Sequence, residues 1–302
     1  MHSQLHRPKG FGEILDAAFR LCKNHFSDFF KIVLILIGPI YLLQAIILLL
    51  SGTSFFRELG SGNGRFEQIF SGVEASANTT VGEDLANIVV TLPMIVLYPV
   101  ALAAVLFAVN QLYKGQEFTV KSVIKQAFTK FWALLGNSLL YGVILFGMVF
   151  VPTIIITIFG VIGMVADPAI GIILMIILFL GLGFTVFFFM SRWSFYLGAT
   201  AFEDNAPGLA RSWRLTRKRV WKVLGIYVIL GLLFFIISLA VESIIILLLG
   251  TSVLYTLIIS LVTLFTSMIF MVGYAILYFD LKTRHDGDDI NEMIDDYQNP
   301  GN

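Results

Sequence analysis

The chain has 302 residues, 58% of them hydrophobic and only 13% charged, with 28 phenylalanines and a formal net charge of zero. Soluble globular chains are nearer about 45–50% apolar and about 25% charged, so this composition excludes an ordinary water-soluble domain and points to lipid as the solvent. Zero net charge supplies no overall pull toward nucleic acid, and the one cysteine, Cys22, excludes an internal disulfide framework.

A helix needs about 20 mainly apolar residues to cross roughly 30 Å of hydrocarbon. Six stretches meet that requirement: 30–51, 86–113, 131–158, 169–195, 223–249 and 252–281. The first is longer than the apolar core of a secretory signal, about 7–15 residues, and follows a long polar segment, so it reads as a retained span. The third and fourth are joined by a short turn from Gly160 to Asp167-Pro168, and the fifth and sixth by Gly250-Thr251. Short links predict antiparallel neighbours. The expected class is an all-α membrane protein, six transmembrane helices arranged as three antiparallel hairpins. Residues 1–285 form one polytopic membrane domain and 286–302 an acidic cytoplasmic tail. The sizeable loop 52–85 carries Glu58, Glu67, Glu74, Glu83 and Asp84 against Arg57 and Arg65. It reads as a mobile acidic connector with a short helix over 65–73, the alternative being a ligand-binding loop.

Cytoplasmic flanks carry the excess of lysine and arginine. Arg7, Lys9, Arg20, Lys23 and Lys31 precede the first span. Lys114, Lys121, Lys125 and Lys130 follow the second. Arg192 closes the fourth; Arg211, Arg214, Arg217, Lys218, Arg219 and Lys222 precede the fifth, and Lys282 and Arg284 end the sixth. Of the 20 basic residues only Arg57 and Arg65 fall on the other side. Both termini are therefore expected in the cytoplasm.

Each cytoplasmic segment before an odd-numbered span repeats an apolar stripe. Phe11, Ile14, Leu15, Ala18, Phe19 and Cys22 share their offsets with Val120, Val123, Ile124, Ala127, Phe128 and Phe131. This is helical amphipathic spacing. A looser third copy runs Leu209, Ser212, Trp213, Val220, Trp221 and Leu224, with Pro207 suited to its first turn. A basic amphipathic helix with tryptophan at its margin suits the headgroup layer. The helices either brace the span ends or form a docking collar for anionic inner-leaflet lipid or a membrane-protein partner. Arg211, Trp213, Arg214, Arg217, Lys218 and Trp221 are the candidates for docking.

Three separated motifs carry a resemblance. One is Arg192-Trp193-Ser194-Phe195, then Glu203, then Ser212-Trp213-Arg214-Leu215-Thr216-Arg217 and Trp221-Lys222-Val223-Leu224-Gly225. The second is Gly12-Glu13-Ile14-Leu15-Asp16-Ala17-Ala18-Phe19-Arg20-Leu21. The third is Leu277-Tyr278-Phe279-Asp280-Leu281-Lys282-Thr283-Arg284. In these the chain resembles the glycerophosphoryl diester phosphodiesterase membrane-domain family and the related YciC-like bacterial integral membrane proteins. The resemblance implies a bacterial cytoplasmic membrane protein without an assigned activity. The family's name comes from members that add a phosphodiesterase barrel, a fold of roughly 250 residues for which this chain has no room.

No catalytic constellation emerges. There is no H-E-x-x-H pair, and the four histidines, His2, His6, His25 and His285, all lie outside the apolar runs, which removes a serine–histidine site within the membrane. Asp286-Gly287-Asp288-Asp289 lacks the spacing of a calcium loop. Ionisable residues inside spans default to functional hypotheses, which singles out Arg192, Glu203 and Glu242. Arg192 either snorkels to the interface or, if its helix continues, shares a face with Glu203. Pro39, Pro93, Pro99 and Pro152 permit kinks, and Gly160, Gly163, Gly181 and Gly183 suit close helix packing. The expected function is non-enzymatic: an accessory, scaffold or envelope-homeostasis protein with no cofactor and no metal. The alternative is a permease or a lipid- or peptide-handling transporter, and a third reading is an enzyme with an unrecognised site.

Overall fold

The computed structural model describes residues 10–56, 81–202, 208–250 and 252–298. Glu203, Pro207, most of the loop 52–85 with its expected helix 65–73, and Thr251 lie outside the described residues. Ten helices and no strand occur among those described: α1 Phe11–Asn24, α2 Phe26–Leu50, α3 Val81–Tyr113, α4 Val120–Thr129, α5 Phe131–Ala166, α6 Pro168–Trp193, α7 Tyr196–Phe202, α8 Gly208–Thr216, α9 Val220–Leu249 and α10 Val253–Gln298. Among the described residues six segments are long and apolar enough to cross a membrane: Phe26–Leu50, Asp84–Tyr113, Phe131–Val165, Pro168–Phe202, Val220–Ile246 and Val253–His285. Inside lipid every backbone N–H and C=O must be satisfied by the protein itself, and a single segment can do this only as a helix. The apolar runs therefore become helices whatever their propensity, and the prolines at 39, 93, 99 and 152 sit within them without ending them.

The chain divides into two compact units, Gly12–Thr129 with Val228–Ile276, and Lys130–Tyr227 with Leu277 onward. In the first, α2 packs on α3 and α4. Its core runs through Phe29, Ile32, Val33 and Ile37 of α2 and the nearly continuous buried stretch Val100–Val109 of α3. His25, Phe29 and Phe118 form an aromatic cluster with centroids 6.0–6.3 Å apart. The first amides of α10 have no partners within their own helix; Val253 N–H and Leu254 N–H donate to the Ser54 and Phe55 carbonyls, and the Ser252 hydroxyl accepts from Tyr255 N–H.

The α1 and α4 stripes bury equivalent positions. Ile14 and Ala18 of α1 and Val123 and Ala127 of α4 are buried, while Phe19 and Phe128, also equivalent, stay 43% and 44% exposed. Cys22 is buried as well, which pushes its thiol up to about 12, so no thiolate nucleophile is available there.

In the second unit α5 runs unbroken to Ala166, eight residues past the expected end of its span, and a single residue, Asp167, links it to α6. Asp167 Oδ1 accepts from Ala169 N–H and Ile170 N–H at 2.7 and 3.3 Å, and Pro168 follows in the first helical position, an efficient N-cap. At about 1.5 Å per residue α5 is roughly 54 Å long, more than the hydrocarbon thickness, so it tilts or projects beyond it.

The glycines of α5 and α6 that permit close approach lie at the linked end. A Cβ on Gly163 would sit 2.9 Å from Gly171 Cα, and one on Gly160 would collide with Met175. Gly181 and Gly183, expected to serve the same purpose, face open space. A one-residue link brings the helices together beside it. Gly163→Leu should therefore destabilise by about 1–3 kcal/mol, the usual cost of overpacking, whereas Gly181→Leu should leave the melting temperature of the detergent-solubilised protein unchanged. Equal effects would contradict this packing.

Candidate functional site

The polar residues of the second unit gather where α6 ends. Two residues, Ser194 and Phe195, separate α6 from α7, so α6 ends one residue past Arg192. A break of this kind leaves amides and carbonyls outside the regular pattern. Ser212 of α8 fills it from both sides: its hydroxyl donates to the Arg192 carbonyl at 2.8 Å and accepts from Phe195 N–H at 3.0 Å. Thr216, one turn on, donates from Oγ1 to the same carbonyl at 3.2 Å. Both residues are fully buried. Two motifs that are about twenty residues apart in sequence are thus halves of one hydrogen-bonded splice.

The Arg192 side chain turns the other way. Its guanidinium carbon lies 3.8 Å from the centroid of the Trp213 ring and Nη2 donates to the Trp213 carbonyl at 3.2 Å. A cation is thereby placed at the C-terminal end of α8, where the helix dipole favours it, and over an aromatic face that attracts it. Arg192 is only 8% exposed, and its Nε is buried with no hydrogen-bond partner among the described residues. Trp193, Trp213 and Phe189 form a ring cluster with centroids 5.6–5.9 Å apart.

A second knot joins the start of α9 to α10 near the end of its membrane-length segment. Asp280, with a side chain 0% exposed, accepts through one carboxylate oxygen from Lys222 Nζ and Arg284 Nε, each at 2.9 Å. Beside it Tyr278 is fully buried among Phe195, Phe202 and Phe279. Gly198 lies directly under the Tyr278 ring, where a Cβ would meet Cδ2 at 2.6 Å. Tyr227 Oη donates to the Ser194 hydroxyl at 3.0 Å, and Tyr196, stacked on Tyr141, donates to Ser138 at 3.3 Å.

The sequence-predicted docking residues surround this junction. Arg214, Arg217, Lys218 and Trp221 are exposed, and Arg211 and Trp213 half-buried. Glu242 is elsewhere, in the first unit, exposed on α9 and accepting from Tyr255 Oη at 3.1 Å. Asp280, Ser212, Thr216 and Tyr278 were not singled out as site residues from sequence. A carboxylate at the end of a long apolar run was the signal available for Asp280. Among the described residues no three His, Cys, Asp or Glu side chains converge to hold a metal.

An all-helical chain with six membrane-length apolar helices and a buried polar junction is a multi-pass membrane protein. It belongs to the family described as "Domain of unknown function (DUF7847)", which matches residues 34–280. No curated protein and no solved structure matches it.

Proposed function

We propose that this chain is a non-enzymatic accessory or scaffold protein of a cytoplasmic membrane, with both termini in the cytoplasm and a docking face built from α8 and the start of α9. The carrying observation is the division of labour within one segment. Ser212, Thr216 and Lys222 are engaged in holding helices together, while Arg214, Arg217, Lys218 and Trp221 point outward. A basic rim with an exposed tryptophan, 69% accessible in the case of Trp221, matches an anionic headgroup layer or an acidic partner surface. Three hairpins, each led by an interfacial helix, are the architecture that goes with this reading. The exposed Phe19 and Phe128, at equivalent places on α1 and α4, support it as side chains suited to insertion beside the span ends. Kinship with the phosphodiesterase membrane-domain family is part of the same proposal, and two of its three motifs meet at the Lys222–Asp280 pair.

A permease would need a polar path, and Glu242 on an exposed face beside Tyr255 does not line one. Native mass spectrometry from nanodiscs containing anionic lipid tests the docking reading. Glutamine at Arg211, Arg214 and Lys218 together should release most of the co-purifying anionic lipid or partner protein, and Glu242→Gln should release none. Wild-type protein carrying neither lipid nor partner, or release by Glu242→Gln alone, would overturn it.

A further inference from the structure

We infer that the extension of α10 past its membrane-length segment, from Asp286 to Gln298, is a docking helix for a water-soluble protein that offers an apolar groove edged with lysine or arginine. The inference goes beyond the α8–α9 face and does not rest on it.

The first observation is continuity. The membrane-length segment of α10 ends at His285, yet the helix runs on to Gln298. The extension leaves on the side where α9 starts, because Asp280 ties the two helices together there through Lys222. Growth from α10 removes the cost of helix nucleation. Propensity still opposes it: Gly287 and the aspartates at 286, 288, 289, 295 and 296 are among the poorer helix formers. Burial of one side of the helix is what would offset that cost.

The second observation is the pattern along this helix. Ile290, Met293, Ile294 and Tyr297 recur at i, i+3, i+4 and i+7. At 3.6 residues per turn these positions fall within about 100° of the helix circumference. Asp288, Asp289, Glu292, Asp295 and Asp296 fall within about 120° on the opposite side. Asp289 and Asp296 are the acidic positions that border the apolar stripe. No lysine or arginine follows Arg284.

The third observation is that charge and size select the occupant. An anionic leaflet, which suits the basic α8–α9 rim, repels an acidic helix. A second copy of the same helix would bring like charges together along both borders of the stripe. Four apolar positions on fewer than four turns also fall short of the roughly 1,200 Å² that a specific interface buries when both sides are this small. A groove that encloses the stripe buries more of each side chain than a flat pairing does, and an amphipathic helix laid in a groove is a recurring recognition mode. Basic residues along the rim complement Asp289 and Asp296 and speed the encounter.

The test uses full-length protein in phosphatidylcholine nanodiscs. The probe is a designed two-helix hairpin with an apolar groove edged by lysine, followed by fluorescence anisotropy. Wild-type protein should bind the probe, and rising salt should weaken binding. Ile290→Ser with Ile294→Ser should weaken it about tenfold or more, the worth of two buried aliphatic side chains, and should leave melting unchanged. Asp289→Asn with Asp296→Asn should remove most of the salt dependence. A control hairpin of the same composition, with its apolar residues scattered, should not bind. Equal binding of the scattered hairpin, or binding indifferent to the serine pair, overturns the docking helix. In cells, a photo-crosslinking residue at position 294 should capture a soluble protein that, once purified, competes with the hairpin for the nanodisc-held chain. Adducts confined to the same chain, to a second copy or to lipid overturn the inference, as does the absence of any adduct. None of these outcomes touches lipid or partner retention by Arg211, Arg214 and Lys218, so the α8–α9 docking reading stands or falls separately.

Discussion

Asp280→Ala should be among the most damaging single substitutions in the second unit, lowering stability by about 3–5 kcal/mol, the range found when one partner of a buried ion pair is removed. The carboxylate is inaccessible to water and both cations use the same oxygen. Its loss leaves Lys222 and Arg284, with side chains 19% and 17% exposed, repelling each other between α9 and α10. Their residual access to water places the expected cost nearer the lower bound. Asp280→Asn keeps the shape and should still lose most of the effect, which separates charge from packing. Lys222→Met should cost less, because Arg284 continues to compensate the carboxylate. A double-mutant cycle between Asp280→Asn and Lys222→Met, read from unfolding in graded sodium dodecyl sulfate, should return a coupling of about 1–3 kcal/mol. A coupling of zero would mean that the pair is incidental.

Ser212→Ala should cost about 2–3 kcal/mol, an unusually large effect for deleting one hydroxyl. Ordinary hydrogen bonds contribute about 1 kcal/mol net, but a buried group deprived of its partner incurs desolvation on top. Here one oxygen serves two backbone groups, accepting from Phe195 N–H and donating to the Arg192 carbonyl. Thr216→Val is the internal comparison: the Arg192 carbonyl keeps its Ser212 donor, and the loss should be about 1 kcal/mol. Hydrogen exchange at the Phe195 amide should accelerate in Ser212→Ala and stay at the wild-type rate in Thr216→Val. Identical melting of the two variants would show that the α6–α7 break is held by something other than this splice.

The six membrane-length helices were legible in the sequence because the requirement they meet is local. Hydrocarbon demands about twenty apolar residues and a self-satisfied backbone, and both conditions are properties of a single segment. That residues 11–24 and 120–129 form helices was legible for the same reason, since helical spacing is written along one segment. Helix ends were less so. Gly160 reads as part of a turn, yet α5 passes through it, because Gly160 and Gly163 are where Met175 and Gly171 approach. That approach is a tertiary fact.

The site was legible only in part. Arg192 stands out as a charge in an apolar run, but its stacking on Trp213, twenty-one positions away, depends on how α8 returns along the end of α6. Ser212 and Thr216 look like ordinary polar residues on a basic helix; nothing in their spacing says that a helix break requires their hydroxyls. Asp280 and Lys222 are fifty-eight positions apart, and each alone reads as a solvated end of a span. By itself the sequence determined the solvent, the six apolar segments and the uneven placement of charge, because burial in lipid is decided residue by residue. The tertiary structure decided which polar groups are consumed in holding helices and which face outward, because a buried charge or an interrupted helix is stable only when a distant segment supplies its partner.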